Sequence, residues 1–271
     1  MSGWLHFSAL LIYGVATAVL GVSFARSDER LPRLAVWTLA AGLAVHAGAL
    51  AAYVVEWGEL PLVGLGPSLS SLAFLVGLGM LIVATLGHAG TVGLVLVPVV
   101  ALLTGVAVAV RVVPAGEPMA FEGAWFALHV VFAFVGYAGL TIAFAAGLMY
   151  LLQFKQLKSK HFGAIFRFFP PLDTLDRLGW TGLLIGFPFL TLSLLLGWGW
   201  MAQFAGVESA GGLKLIWAVL SWLIFVAAIL ARLGAGRSAR RGALASVIGF
   251  VAVVLIYLLI RAQGSNGGGF L

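Results

Sequence analysis

Apolar positions in this chain come in long unbroken runs, and polar positions are confined to short stretches between them. The runs predict eight helices: Trp4–Phe24, Leu34–Val55, Ser68–Leu86, Thr91–Val110, Gly123–Leu152, Leu178–Met201, Leu213–Leu233 and Leu244–Ile260. A helix of ~20 residues crosses a hydrocarbon core of about 30 Å, and these runs are of that order or longer. They are continuous rather than alternating, which excludes an outer-membrane β-barrel. Pro98 and Pro188 fall inside two runs and predict kinks there. The longest run, Gly123–Leu152, carries no charged residue and one histidine, His129.

One substantial stretch does not span, Gln153 to Arg177. Its first part, Phe154 to Phe169, mixes Lys, Arg and Phe, the pattern of an amphipathic helix lying in the membrane interface. Pro170 and Pro171 should stop it. The fold class is therefore all-α: a polytopic membrane protein of eight transmembrane helices plus a cytoplasmic interfacial helix. Residues 1–263 form a single transmembrane domain, and the Gly-rich tail 264–271 reads as disordered. The first run has no Lys or Arg before it and no small-residue cleavage site, so it reads as a retained span rather than a signal peptide.

Composition agrees with this class: 62% of residues are hydrophobic and 9% charged, against about a quarter charged in a soluble domain. Charge then sets orientation. With both termini outside, the cytoplasmic stretches hold twelve of the fifteen Lys and Arg, and the outer ones only Arg111, Lys214 and Arg261. The bilayer so implied is the inner, cytoplasmic membrane. The net charge of +6 is this asymmetry, not a nucleic-acid footprint. There is no cysteine, so no thiol chemistry is available and disulfides cannot reveal the compartment.

Topology places two histidines within the membrane. His46 lies roughly 14 Å below the outer surface and His129 roughly 10 Å, on helices running in opposite directions. Ionisable groups at such depth are functional candidates. Two neutral imidazoles at matching height, without thiolates, suit axial ligation of haem iron. Trp125, Phe126 and Tyr137 could line a porphyrin pocket. The plainer reading of either histidine is a hydrogen bond to a neighbouring helix. No short-spaced ligand cluster favours zinc, and no carboxylate lies inside a span to support hydrolysis. Trp198 and Trp200 fit either a ligand-facing pair or an interfacial belt. Gly42, Gly48, Gly136, Gly139, Gly147, Gly182 and Gly186 read as close-packing positions between helices.

Leu128-His-Val130, in a helix that begins with Trp125 and carries Tyr137, resembles the Trp…Met-His-Val…Tyr helix of cytochrome c assembly proteins of the CcsA/HemX type. Pro171-Leu-Asp-Thr-Leu-Asp-Arg-Leu178, Gly186-Phe-Pro-Phe-Leu-Thr191 and Gly197 are similar to the stretch that follows it in that family. Lys214, Trp217-Ala-Val-Leu-Ser-Trp222, Arg232 and Gly249-Phe250 resemble the family's ending, and Val45-His-Ala-Gly-Ala-Leu50 resembles its small eight-span, HemX-like branch. The resemblance implies haem bound near the outer membrane face by histidines and a Trp-rich loop. Two positions depart: Gly212 stands where the loop's Asp is expected, and Leu230 where a second outer histidine is expected.

The resulting expectation is a haem-handling protein of cytochrome c biogenesis, not an enzyme. Haem b would be held transiently by His46 and His129, with Trp125, Tyr137, Trp198 and Trp200 around it, beside a partner that attaches haem to apocytochrome c. The alternatives are a non-haem scaffold stabilising another membrane complex and, lower in rank, a small-molecule transporter.

Overall fold

A computed structural model describes residues 1–26, 28, 30–85, 90–114, 124–160, 163–203, 211–233 and 238–264. Among these, the secondary structure is helical, without a strand. In chain order the helices are α1 (Ser2–Arg26), α2 (Leu31–Trp57), α3 (Leu65–Thr85), α4 (Gly93–Ala109), α5 (Ala124–Ser159), α6 (Ala164–Phe168), α7 (Leu172–Gln203), α8 (Gly211–Leu233) and α9 (Ala239–Gly264). Seven of them are long and apolar enough to cross a membrane, and α4 is a shorter apolar helix entered through the 3-10 turn Gly90–Val92. The eight expected spans are thus all present, as α1–α5 and α7–α9. The chain is a multi-pass membrane protein.

The helices differ from expectation mainly in where they stop. The 36-residue α5 runs past Leu152 into the basic stretch, because Gln153 to Ser159 contains no breaker and several good helix formers. Its length of about 54 Å exceeds a hydrocarbon core, so Lys155 and Lys158 lie well beyond an apolar run. The helix ends at Lys160, which takes a positive φ of 55°. The segment expected as one interfacial helix is therefore divided between the end of α5 and the five-residue α6. Pro170-Pro171 ends α6 in extended backbone, and α7 begins at once, with Thr174 N–H donating to the Pro171 carbonyl. Residues 265–271, His88 and His161 lie outside the described residues.

The chain packs as two compact units: Met1–Pro118 with Met149–Arg177, and Met119–Leu148 with Leu178–Leu271. In the first, α1 lies along α2 and α4, and α3 along α4. Its inner face on α1 is Ala9, Tyr13, Ala16 and Leu20, all buried at helical spacing. The opposite face carries Leu11 and Val15, exposed and apolar, as a lipid-facing surface requires. Phe24 of α1 stacks edge-on against Phe168 of α6.

In the second unit α5 and α7 approach to backbone contact. A Cβ on Gly139 would lie 2.6 Å from the Gly182 carbonyl oxygen, and one on Gly182 would lie 2.7 Å from that of Gly139. Gly136 and Gly186 repeat the arrangement a turn away, Gly186 facing the Gly136 carbonyl at 2.9 Å. Small residues replace hydrophobic burial as the basis of helix association in lipid, so these positions govern the α5–α7 spacing. Leu140, Ala143, Leu183, Leu190 and Phe225 fill the core beside them.

Candidate functional site around His129

The close α5–α7 crossing continues to the end of α5 that holds His129. That ring is half-buried, and its Nδ1–H donates to the main-chain carbonyl of Ser193 on α7 at 2.7 Å. The Ser193 hydroxyl returns a bond to the His129 carbonyl at 2.8 Å, and its oxygen lies 3.2 Å from Nδ1. One turn earlier, Trp125 Nε1–H donates to the Leu196 carbonyl at 2.9 Å. Phe126 lies beside the imidazole, ring centroids 6.4 Å apart. Gly197 sits against the ring: a Cβ there would be 2.8 Å from His129 Cε1.

This pattern fixes the proton. A carbonyl can only accept, so the nitrogen facing it carries the hydrogen, and in the neutral ring the lone pair is on Nε2. Among the described residues no hydrogen bond reaches His129 Nε2. Metal-ligating histidines are commonly oriented in this way, the second nitrogen donating to a carbonyl or carboxylate.

His46 is placed differently. It belongs to the first unit and is fully buried. Its Nδ1 is 3.1 Å from the Tyr13 hydroxyl and its Nε2 is 2.8 Å from Ser70 Oγ. Both nitrogens are engaged, so His46 would have to give up one bond to ligate anything. His6 stacks edge-on against it, centroids 5.4 Å apart, and donates from Nδ1 to the Ser2 carbonyl at 2.8 Å. A cavity of about 270 Å³ near Ser2, His6, Glu56 and Arg111 opens in this unit, and His46 is not in its lining. Here Glu56 accepts from the Ser2 N–H and hydroxyl at 3.1 and 2.8 Å, capping the start of α1.

Of the remaining expected site residues, Trp125 is brought to His129 and keeps half its surface exposed. Tyr137 is not at the imidazole. It lies about 12 Å along α5, its ring 5.0 Å from that of Trp217. Trp198 lies on α7 beside Gly197 but is largely exposed. The side chain of Trp200 lies outside the described residues. Sequence reading did not single out Ser193, nor the contact of Gly197 with the ring. The available signal was their spacing, a serine and a glycine four residues apart in the C-terminal half of α7.

Residues 64–265, most of the chain, match the family described as Cytochrome C assembly protein. The chain belongs to the cytochrome c assembly protein family. Its similarity to individual members is modest. A cytochrome c biogenesis protein CcsA of Prochlorococcus marinus (strain MIT 9312) is 29% identical over 232 residues, covering 76% of this chain and 74% of that protein. Proteins of the same name from Chlamydomonas reinhardtii and Guillardia theta are each 29% identical, over 147 and 162 residues. Each of those matches covers 54% of this chain, and the matched length is 40% and 54% of the two relatives. The chain thus spans about half the length of these two family members.

Proposed function

We propose that this family member works in cytochrome c assembly by holding haem b at the α5–α7 site, with His129 Nε2 as the protein ligand to iron. The observation that carries the reading is the commitment of His129 Nδ1 to the Ser193 carbonyl, which leaves Nε2 as the donor atom. When bound, haem supplies the redox chemistry and the vinyl groups for attachment. The protein's own residues position and shield. Ser193 holds the imidazole, and Trp125, tied to the Leu196 carbonyl, offers an aromatic face next to it. Their role is binding and handling rather than catalysis by side chains. The second unit contains no other histidine, and the engaged nitrogens of His46 do not fit ligation as they stand. His129 would then be the single histidine of this unit to hold the group, which suits transient custody.

We place the site near the outer face of the inner membrane, with both termini outside, from the charge distribution along the chain. A membrane partner that joins haem to apocytochrome c would complete the activity. A scaffold without haem is the second reading, supported by Gly212 and Leu230 at the two positions where the family resemblance expects Asp and His.

The test is the visible spectrum of detergent-purified protein, oxidised and reduced, after haemin addition. The reading expects a Soret band that sharpens when free imidazole is added, and that is lost in His129→Ala but kept in His46→Ala. Wild-type protein that stays colourless with excess haemin would move the assignment to the scaffold.

A further inference from the structure

What makes Nε2 the free nitrogen of His129 is written on the facing helix. In a regular helix the Ser193 carbonyl accepts the N–H of the residue four positions on, which here is Gly197. The oxygen keeps a second lone pair. Side chains on a helix tilt toward its N-terminus, so the residue at i+4 normally covers the turn where that oxygen lies. At 197 there is no side chain, and the space is filled by the His129 ring. A Cβ there would lie 2.8 Å from Cε1 and 3.1 Å from Nδ1, too close for the ring to stay. Leu196 and Gly199, three residues apart rather than four, make a looser contact with Trp125. Trp125 Nε1–H reaches the Leu196 carbonyl, and a Cβ on Gly199 would meet Trp125 Cζ2 at 3.4 Å, an ordinary contact. A side chain at 197 would displace the imidazole, whereas one at 199 would leave the indole in place.

We propose that Gly197 is a positioning residue for His129. Its missing side chain opens the Ser193 carbonyl to the imidazole, holds the ring as the Nδ1–H tautomer, and makes Nε2 the only nitrogen that can ligate. Any larger residue at 197 removes that tautomer lock. The Gly197-Trp-Gly199 stretch thereby acts within α7 as a carbonyl-exposing face toward α5. The last step, ligation, rests on the haem reading above, whereas the tautomer and its dependence on Gly197 do not.

The experiment is nitrogen-15 NMR of histidine-labelled apoprotein in detergent, with His129→Asn to assign the signal. The two tautomers give different long-range nitrogen–proton patterns. Wild type should show His129 protonated on Nδ1. Gly197→Ala should lose that preference, while Gly199→Ala and Ser193→Ala keep it, since neither removes the carbonyl. Haemin titration of the same samples should show Gly197→Ala weakened by about tenfold or more, the usual cost of losing an outer-sphere partner. Thermal unfolding run alongside confirms that each variant is folded. A wild-type His129 protonated on Nε2 would overturn the proposal, as would a folded Gly197→Ala that keeps the tautomer and the affinity. The expected tautomers without haemin uptake by wild type would uphold the positioning role and overturn the haem reading.

Discussion

Both ring nitrogens of His46 are bonded to side chains of other helices, Tyr13 on α1 and Ser70 on α3, whereas His129 uses one nitrogen on a main-chain carbonyl. The two residues therefore should respond differently to removal. His46→Ala strands a buried hydroxyl on each side, each such loss costing about 1–3 kcal/mol. Its melting temperature in detergent should fall clearly, with haemin uptake by the folded fraction unchanged. Tyr13→Phe removes one of the bonds and should cost about 1 kcal/mol. Equal melting of His46→Ala and wild type would show that this network adds no stability. The depth of both histidines could be read from the chain, because it follows from span boundaries. Which nitrogen is free could not, because it depends on helix rotation and on a carbonyl that no side-chain pattern announces.

At the scale of elements, the α5–α7 crossing depends on positions where a methyl group would meet backbone oxygen. Gly139→Ala places a Cβ 2.6 Å from the Gly182 carbonyl, and helix backbone yields less readily than a side chain. Overpacking of this kind costs about 1–3 kcal/mol. Gly14→Ala is the internal comparison: the glycine lies in α1 with nothing within 4 Å of an added Cβ. There the gain in helix propensity of up to about 1 kcal/mol should leave stability equal or higher. Thermal unfolding of both variants decides; a Gly139→Ala variant as stable as Gly14→Ala would contradict the close crossing. The glycines of α5 and α7 were legible as packing positions. The continuation of α5 to Ser159 was not, since the charges after Leu152 mark the end of an apolar run and not the end of a helix.

For the whole molecule, the sequence supports one orientation, with the basic stretches on the cytoplasmic side. The chain has no cysteine, so single cysteines report cleanly. In intact cells a membrane-impermeant maleimide should label Val113→Cys and not Lys158→Cys, and permeabilisation should expose the second. The reverse pattern would invert the topology and move the His129 site to the cytoplasmic face. The eight spans and this asymmetry were legible because bilayer thickness and translocation act on composition. The division into two packed units was not, because every span carries similar apolar composition and the selection of partners lies in small residues scattered among them.

The central claim is that His129 Nε2 is the protein ligand to haem iron. It is tested most directly by chemical rescue of His129→Gly, which removes the imidazole and leaves a space for it. The account predicts that this variant fails to give the wild-type haem spectrum and that free imidazole at millimolar concentration gives it the spectrum of wild type in the same imidazole. It also predicts that a His46→Gly variant has the wild-type spectrum without imidazole and responds to added imidazole as wild type does. A His129→Gly protein that binds haemin with the wild-type spectrum and affinity without imidazole would contradict it.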